Sequence, residues 1–212
     1  MKFENTKVFN IDGAIRGMRN PLESWSKGDT VNDIIGENDL KLAQKLILAG
    51  SEHRKFMRQI MVSVDITAPM FWWSEFDTYK VGTVANSTSK MHKLASTPIT
   101  IDCFETDDLC GKDLRYWDED EKLNLCEALE YQIIPMLESI RLKYLETKDK
   151  RYWKELIRLL PESWLQTRTI TMSYENLLSM YRQRHEHKLT EWSVSFVNWI
   201  DSLPYAEELI KI

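Results

Sequence analysis

Cysteines and long apolar runs are scarce in this sequence. Its 212 residues include only three cysteines, Cys103, Cys110 and Cys126, and none of them forms a C-x-x-C pair. An odd number of widely spaced cysteines indicates neither a disulfide framework nor a zinc site, so no metal site is predicted. No apolar run is long enough to span a bilayer, and the N-terminal segment lacks the apolar core of a signal peptide. These absences predict a reduced, cytoplasmic setting and no membrane segment.

The motifs of the commonest nucleotide-binding and hydrolytic folds are also missing. The sequence contains no G-x-G-x-x-G, no Walker A, no G-x-S-x-G and no H-E-x-x-H. Rossmann enzymes, P-loop enzymes and the common hydrolases therefore lose support. The formal net charge is −5 and no basic tract offsets it, so a general nucleic-acid-binding protein is not expected. A small anionic ligand held by a few local cations is compatible with that charge.

The periodicity of apolar residues predicts one α+β domain over residues 1–212, mostly helical, with a small sheet packed against long helices. Asn38 is expected to cap a helix that stops at Gly50. Residues 58–67 alternate between apolar and polar side chains, as a half-buried strand does. A helix from Asp118 is expected to bend at Pro135 and to continue beyond it. Further elements are predicted at 150–160 (helix), 166–173 (strand), 174–184 (helix) and 189–203 (helix).

The stretch from Ala68 to Leu94 changes from apolar to polar along its length. It begins with Ala68-Pro69 and three aromatic residues, and it continues with hydroxyl, amide and ammonium side chains. Such groups can bind a phosphate and the edge of a pyrimidine. A surface turn rich in serine and threonine is the alternative interpretation. The polar residues in question are Thr83, Asn86, Ser87, Thr88, Ser89 and Lys90.

Arginine and histidine residues outside this stretch supply the other candidate ligand contacts. Arg168 lies inside an alternating strand pattern, where a guanidinium needs an anionic partner or an exit to solvent. Arg184 ends a predicted helix, where the helix dipole favours a cation in any case. His53 lies between a helix stop and a strand, so a ligand contact and a capping role are both open. His185 and His187 are two residues apart and are expected at the solvated surface.

The order of these features resembles that of the flavin-dependent thymidylate synthase (ThyX) family. In both, a helix that ends at glycine is followed by a turn with histidine, a strand, the motif A-P-x-F and a polar signature. After these come long helices, the motifs L-P and T-R, and a helix that ends in arginine. The chain follows the family's signature region without gaps from Ala68 to Leu94, and Leu160-Pro161, Thr167-Arg168 and Arg184 fall close to the later positions. Residues 20–36 and 95–117 lie outside the resemblance.

The chain departs from the family's signature where the family places its strongest hydrogen-bond donors. Thr78, Tyr79 and Lys80 stand in place of Arg-His-Arg, and Glu75 stands in place of glutamine. The later helix offers Glu175 where the family has arginine. Replacing two guanidinium groups removes fixed bidentate donors. Loss of one preorganised donor typically costs about 3 kcal/mol of transition-state stabilisation.

The resemblance implies a homotetramer with active sites shared between subunits, which methylates dUMP to dTMP with FAD, methylene-tetrahydrofolate and NADPH. Reduced flavin would supply the hydride that completes the methyl group, and the protein would supply orientation and electrostatics. The phosphate is expected on Lys90, Thr88 and Arg184, with Arg168 on the base or sugar. By position, the resemblance assigns catalysis to Lys80, Glu75 and Tyr79, flavin binding to His53, Thr78 and Lys80, and nucleotide binding to Asn86, Thr88, Ser89, Lys90, Arg168 and Arg184.

Two alternatives to this function stay open at the level of the sequence. One is a non-catalytic nucleotide-binding or assembly protein on the same scaffold. The other is an enzyme with an altered nucleotide substrate, in which Glu75 and Tyr79 take new roles. A glutamate in place of glutamine favours a ring edge that donates a hydrogen bond, as a cytosine-like base does.

Overall fold

The computed structural model describes residues 1–89, 93–107 and 125–212. Within these ranges the chain is mostly helical and carries a four-stranded antiparallel sheet, which confirms the predicted α+β class. None of the described helices is long and apolar enough to cross a membrane. The strands are β1 (Lys2–Phe9), β2 (Met61–Pro69), β3 (Val84–Ser87) and β4 (Leu165–Ser173). The helices are α1 (Ile11–Met18), α2 (Glu37–Ala49), α3 (Met70–Phe76), α4 (Leu125–Ala128), α5 (Ile134–Thr147), α6 (Lys150–Leu159), α7 (Tyr174–Arg184) and α8 (Val197–Asp201).

The sheet has the strand order β1–β2–β4–β3. Side-chain hydrogen bonds between β2 and β4 define their register: Thr169 donates to Asp65 at 2.5 Å, and the hydroxyls of Thr67 and Thr167 lie 2.7 Å apart. From Asp65 to Thr67 the chain of β2 advances by two residues, while their partners on β4 go back from Thr169 to Thr167, so the two strands are antiparallel. One face of β2 is buried, as the alternating pattern predicted, and it consists of Val62, Val64, Ile66 and Ala68.

The described chain divides into two compact units. The first contains Met1–Ile66, Glu75–Asn86 and Arg168–Ile212, and the second contains Thr67–Ser74 and Ser87–Thr167. The expectation of a single domain over residues 1–212 stays a prediction.

The start of α2, in the first unit, is capped by a residue from the preceding loop. The prediction that Asn38 caps this helix is wrong, because α2 begins at Glu37 and Asn38 is its second residue. The carboxylate of Asp29 accepts the backbone N–H groups of Asn38 and Asp39 at 2.9 and 3.0 Å. These bonds satisfy two of the amides that a helix start leaves without an intrahelical partner. Gly50 follows the end of α2, as predicted, with a φ of 120° that side-chain-bearing residues rarely adopt.

The helical region of the second unit widens just before Pro135. Leu129–Ile133 forms a π-helical turn, and Pro135 is the second residue of α5. Proline lacks an N–H and its ring crowds the carbonyl four residues earlier, so a wider turn accommodates it. The helix continues past Pro135, as predicted, whereas its predicted start at Asp118 lies outside the described residues. The buried core of this region consists of Leu94, Ile99, Phe104, Leu129, Ile134, Leu137 and Leu156.

The later elements lie close to their predicted positions. β4 and α6 match within a residue, and α7 matches at both ends, beginning with a capping box between Ser173 and Asn176. The helix predicted for residues 189–203 is divided into a π-helical segment, Glu191–Phe196, and α8, and it ends before Pro204.

Candidate functional site

Two helix ends of the first unit bring a carboxylate and a guanidinium together. Glu75 lies in the last turn of α3, and Arg184 is the last residue of α7. Arg184 Nη1 donates to Glu75 Oε2 at 2.7 Å, and Trp192 Nε1 donates to the same oxygen at 3.0 Å. His187 Nε2 lies 3.5 Å from that oxygen. We call Glu75, Tyr79, Arg184, His187 and Trp192 the Glu75–Arg184 cluster.

Aromatic rings hold the guanidinium of Arg184 in this cluster. Its central carbon lies 5.0 Å from the ring centre of Trp192 and 5.7 Å from that of Tyr79, within the range of cation–π attraction. Arg184 Nε donates to the Tyr79 hydroxyl at 2.9 Å, and that hydroxyl donates to Gln183 Oε1 at 3.0 Å. The guanidinium is therefore fixed by one carboxylate, one phenol and two rings.

The cluster retains one acceptor and one donor for a ligand. Among the described residues, none donates to Glu75 Oε1 and none accepts from Arg184 Nη2. The Glu75 side chain is 33% exposed and that of Arg184 is 19% exposed. An acceptor beside a donor, with aromatic rings next to them, can bind the polar edge of a planar heterocycle.

Arg168 has an anionic partner, which is one of the two outcomes that the sequence left open. Its Nη1 donates to Asp77 Oδ1 at 2.7 Å, and its side chain is nearly buried. The pair explains how a guanidinium is tolerated inside β4, because a buried charge needs a counter-charge. A role for Arg168 in nucleotide binding stays a prediction.

The other signature residues of the first unit have different environments. Thr78 donates from its hydroxyl to the backbone carbonyl of Glu75 at 2.7 Å, and the hydroxyl of Thr83 donates to the carbonyl of Tyr79. Lys80 is exposed and forms no ion pair within the described ranges. Asn86 is exposed on β3. The structure thus brings Glu75 and Tyr79 together, and leaves Lys80 outside their hydrogen-bond network.

The hydroxyl-rich run continues into the second unit. The backbone N–H of Thr88 donates to the Thr167 carbonyl at 2.9 Å, and its carbonyl accepts from Gln166 at 2.8 Å. Its side chain is exposed. The carbonyl of Ser89 accepts from the backbone of Lys93 at 3.0 Å. Lys90, the predicted phosphate ligand, lies outside the described residues.

His53 lines a cleft of about 850 Å³ in the first unit, bordered by α1, α2 and the segment after α2. Its imidazole is half-exposed. Thr78 and Lys80, the other predicted flavin contacts, do not line this cleft. A flavin site that includes His53, Thr78 and Lys80 stays a prediction.

Glu175, which stands where the family has an arginine, is paired with an arginine elsewhere in the first unit. Arg54 Nε donates to both carboxylate oxygens of Glu175, at 3.0 and 2.9 Å, and both side chains are largely buried. The pair lines a cleft of about 490 Å³ at the start of α7, with Arg58, Asn176 and Ser179. Glu175 was recognised in the sequence as a departure from the family, but its partner Arg54, 121 residues earlier in the chain, was not predicted.

Two members of the Glu75–Arg184 cluster were missed by sequence analysis. His187 was expected at the solvated surface, and this was wrong, because its ring is largely buried near Glu75. Trp192 is fully buried and gave no sequence signal beyond its helical spacing. The nearest signal was the substitution of glutamate for glutamine at position 75, since a carboxylate in a partly buried position requires donors around it.

No family model and no curated protein sequence matches this chain. Solved structures do match it along its whole length. A flavin-dependent thymidylate synthase ThyX from Helicobacter pylori, complexed with FAD and dUMP, is 16% identical with a TM-score of 0.68, covering 100% of this chain and 98% of that one. A second structure of the same enzyme with FAD and dUMP gives 16% identity, a TM-score of 0.69 and the same coverage.

A third solved structure with this fold is a UMP/dUMP methylase, PolB, from Streptomyces cacaoi, bound with 5-Br UMP. It is 11% identical with a TM-score of 0.66, covering 99% of this chain and 91% of that one. The resemblance seen in the sequence is confirmed at the level of the fold, and this chain has the fold of the flavin-dependent thymidylate synthases.

Proposed function

We propose that this chain binds a pyrimidine nucleoside monophosphate and that Glu75 and Arg184 recognise the polar edge of its base. Support for the ligand class comes from the solved proteins of the same fold, which hold dUMP or 5-Br UMP. The observation that carries the proposal is that Glu75 Oε1 and Arg184 Nη2 have no hydrogen-bond partner among the described residues, although both side chains are held in the Glu75–Arg184 cluster. Glu75 Oε1 can only accept a hydrogen bond, and Arg184 Nη2 can only donate one.

Uracil presents a matching pattern along one edge. Its N3–H is a donor, and the carbonyl oxygens on both sides are acceptors. Glu75 would accept from N3–H, and Arg184 would donate to the neighbouring carbonyl. Cytosine also places a donor beside an acceptor, through its amino group and N3, so dCMP is the natural comparison ligand. A glutamine could adapt to either polarity by turning its amide, whereas the Glu75 carboxylate fixes the polarity.

The pairing of Arg184 with Glu75 favours the base over the phosphate as its ligand. A phosphate bound to Arg184 would lie beside the Glu75 carboxylate. Two like charges about 4 Å apart repel by roughly 4 kcal/mol at the effective dielectric constant of a protein surface. A neutral base carries no such penalty. For the phosphate, Lys90 and Thr88 stay a prediction, whereas Arg184, which was expected with them, is assigned here to the base.

The residues at the signature positions do not fit a flavin in the way the resemblance implied. The Thr78 hydroxyl is committed to a backbone carbonyl, and the Tyr79 hydroxyl is shared by Arg184 and Gln183. Of the three positions that carry Arg-His-Arg in the family, only Lys80 keeps a cationic donor without a partner in the described part of the chain.

Methylation of dUMP with FAD is the second candidate function. It is favoured by the two solved structures of this fold that hold FAD together with dUMP, and by the cation that Lys80 retains. A yellow protein with a flavin absorption band, or quenching of FAD fluorescence on titration, supports this candidate. A colourless protein that leaves FAD fluorescence unchanged at high micromolar concentration removes it, while nucleotide binding can still be measured.

Isothermal titration of dUMP tests the leading proposal. We expect Glu75→Gln to weaken binding by roughly fivefold, because a charged acceptor is replaced by a neutral one at a cost of about 1 kcal/mol. Glu37→Gln is the matched control, since it removes an exposed carboxylate that is paired with Lys41 at 2.5 Å and should leave binding unchanged. Absence of binding at millimolar dUMP, or equal binding by wild type and Glu75→Gln, would contradict the proposal.

A further inference from the structure

The cleft of about 850 Å³ has an apolar floor and a size typical of small-molecule sites. Met18 and Phe56 are buried within it, and Leu42 and Leu46 line it from α2. These side chains can pack against the apolar body of a ligand. The cleft shares no residue with the Glu75–Arg184 cluster, so binding in the cleft can be tested separately from recognition of a base by Glu75 and Arg184.

A buried arginine lines this cleft with two amino groups unused. The Arg19 side chain is 6% exposed, and its Nε donates to Asp39 Oδ1 at 2.5 Å. No described residue accepts a hydrogen bond from Arg19 Nη1 or Nη2. Neither nitrogen is sealed from solvent, and their N–H groups match the two oxygens of a carboxylate or phosphate.

Asp39 holds Arg19 in place, and its other oxygen is already used. Its Oδ2 accepts from the backbone N–H groups of Asp29 and Thr30 at 2.9 Å each, and from the Thr30 hydroxyl at 2.7 Å. Because every one of these bonds comes from the loop before α2, the carboxylate is fixed while the guanidinium edge stays available. Arg19 is thus held in place through Nε, and its Nη1 and Nη2 stay available to a ligand.

The charges around the cleft favour an anion. Lys27 and Lys55 line it and form no ion pair with described residues, and Glu52 is the one carboxylate among its lining residues. Arg19 and Arg16 also line a smaller cavity of about 300 Å³, but Asp12 and Asp39 line it too, so its two cations are balanced by two carboxylates. An anion is therefore better accommodated in the larger cleft.

We propose that this cleft binds a small organic anion, with its carboxylate or phosphate on the outer edge of Arg19 and its apolar body on Met18, Leu42, Leu46 and Phe56. Lys27 and Lys55 add long-range attraction at the rim. The ligand class is defined by two requirements that act together, a planar or tetrahedral oxyanion and an attached apolar or aromatic group.

Calorimetric titration of the full chain at low ionic strength tests this with four probes. 2-Naphthoate and 2-naphthyl phosphate carry both features, 2-naphthylmethanol carries only the ring, and inorganic phosphate carries only the charge. At least one naphthyl anion should bind tenfold or more tightly than either single-feature probe, and the tighter of the two identifies the head group. Equal affinity for the neutral alcohol, or no binding of either anion at millimolar concentration, would overturn the proposal.

Three variants locate the binding. Arg19→Lys keeps a cation opposite Asp39 but loses the two-nitrogen edge, and should weaken the preferred anion at least fivefold. Lys55→Gln changes an exposed side chain, leaves the fold intact, and should weaken it two- to threefold. Lys45→Gln removes an exposed charge on α2 away from the lining residues and should have no effect. The proposal is wrong if Arg19→Lys and Lys55→Gln, both folded by circular dichroism, bind the anion as wild type does.

Discussion

The interaction between Glu75 and Arg184 should be measurable as a coupling energy. The two side chains are 33% and 19% exposed, so their ion pair is neither fully solvated nor fully buried. Exposed pairs contribute about 0.2–1 kcal/mol, and breaking a buried pair costs about 3–5 kcal/mol. We therefore expect Glu75→Gln and Arg184→Gln each to lower the free energy of unfolding by about 1–2 kcal/mol. The double variant should reveal a coupling of about 1 kcal/mol.

Urea unfolding followed by tryptophan fluorescence is a suitable assay, because Trp192 donates to Glu75 and is fully buried. The same cycle on Glu37 and Lys41, an exposed i,i+4 pair, is the control and should give no more than about 0.5 kcal/mol. Added salt at 1 M should reduce the Glu75–Arg184 coupling by screening. A coupling indistinguishable from that of the control pair would refute the inference that Glu75 holds Arg184.

Three further predictions concern acid stability, the phosphate and assembly. Burial raises the pKa of Asp39, but hydrogen bonds from Thr30, Asp29 and Arg19 outweigh this effect and lower the pKa below its usual value. The ionised Asp39 carboxylate therefore stabilises the fold fully above about pH 4. This stabilisation is lost as the pH falls through the pKa of Asp39 in the folded state. At pH 7 Asp39→Asn should lower the free energy of unfolding by about 3 kcal/mol, and urea titrations in strong acid should show the variant and wild type converging; a constant difference would contradict this. In thermal melts, saturating dUMP should raise the melting temperature by a few degrees, whereas deoxyuridine should not. Lys90→Ala should abolish the rise with dUMP. An equal rise with deoxyuridine, or an unchanged rise in the variant, would show that the hydroxyl-rich run is only a turn. Sedimentation velocity should show a homotetramer at micromolar concentration, and a profile of 25.1 kDa monomer alone would contradict the assembly expected from the resemblance.

The helices and strands that depend on residues close together in the chain could be predicted from the sequence. The alternation in β2 marks its buried face because successive side chains point to opposite faces of a sheet. α7 lies where it was predicted, and Arg184 is favoured at its end by the helix dipole; the capping of its start by Ser173 is seen only in the structure. The place of Arg168 in a strand predicted either an anionic partner or an exit to solvent, and the structure has Asp77 as its partner.

Contacts between residues far apart in sequence could not be predicted in this way. Arg54 and Glu175 are 121 residues apart, and no periodicity links them. Asn38 was chosen as the cap of α2 from its residue type, but Asp29, nine residues before Asn38, accepts the amides of Asn38 and Asp39 at the helix start. His187 was assigned to the surface from its neighbours in sequence, but its Nε2 lies 3.5 Å from the carboxylate of Glu75, a residue more than a hundred positions earlier in the chain.

The affinity of 3-methyl-dUMP relative to dUMP tests most directly whether Glu75 recognises the base. Methylation of N3 removes the one hydrogen that Glu75 Oε1 would accept and leaves the sugar and phosphate unchanged. Hydrogen bonds to charged groups contribute about 1.5–3 kcal/mol, so calorimetric titration of the wild type should show binding weakened roughly tenfold or more. Equal affinity for dUMP and 3-methyl-dUMP would contradict recognition of the base edge by the Glu75–Arg184 pair.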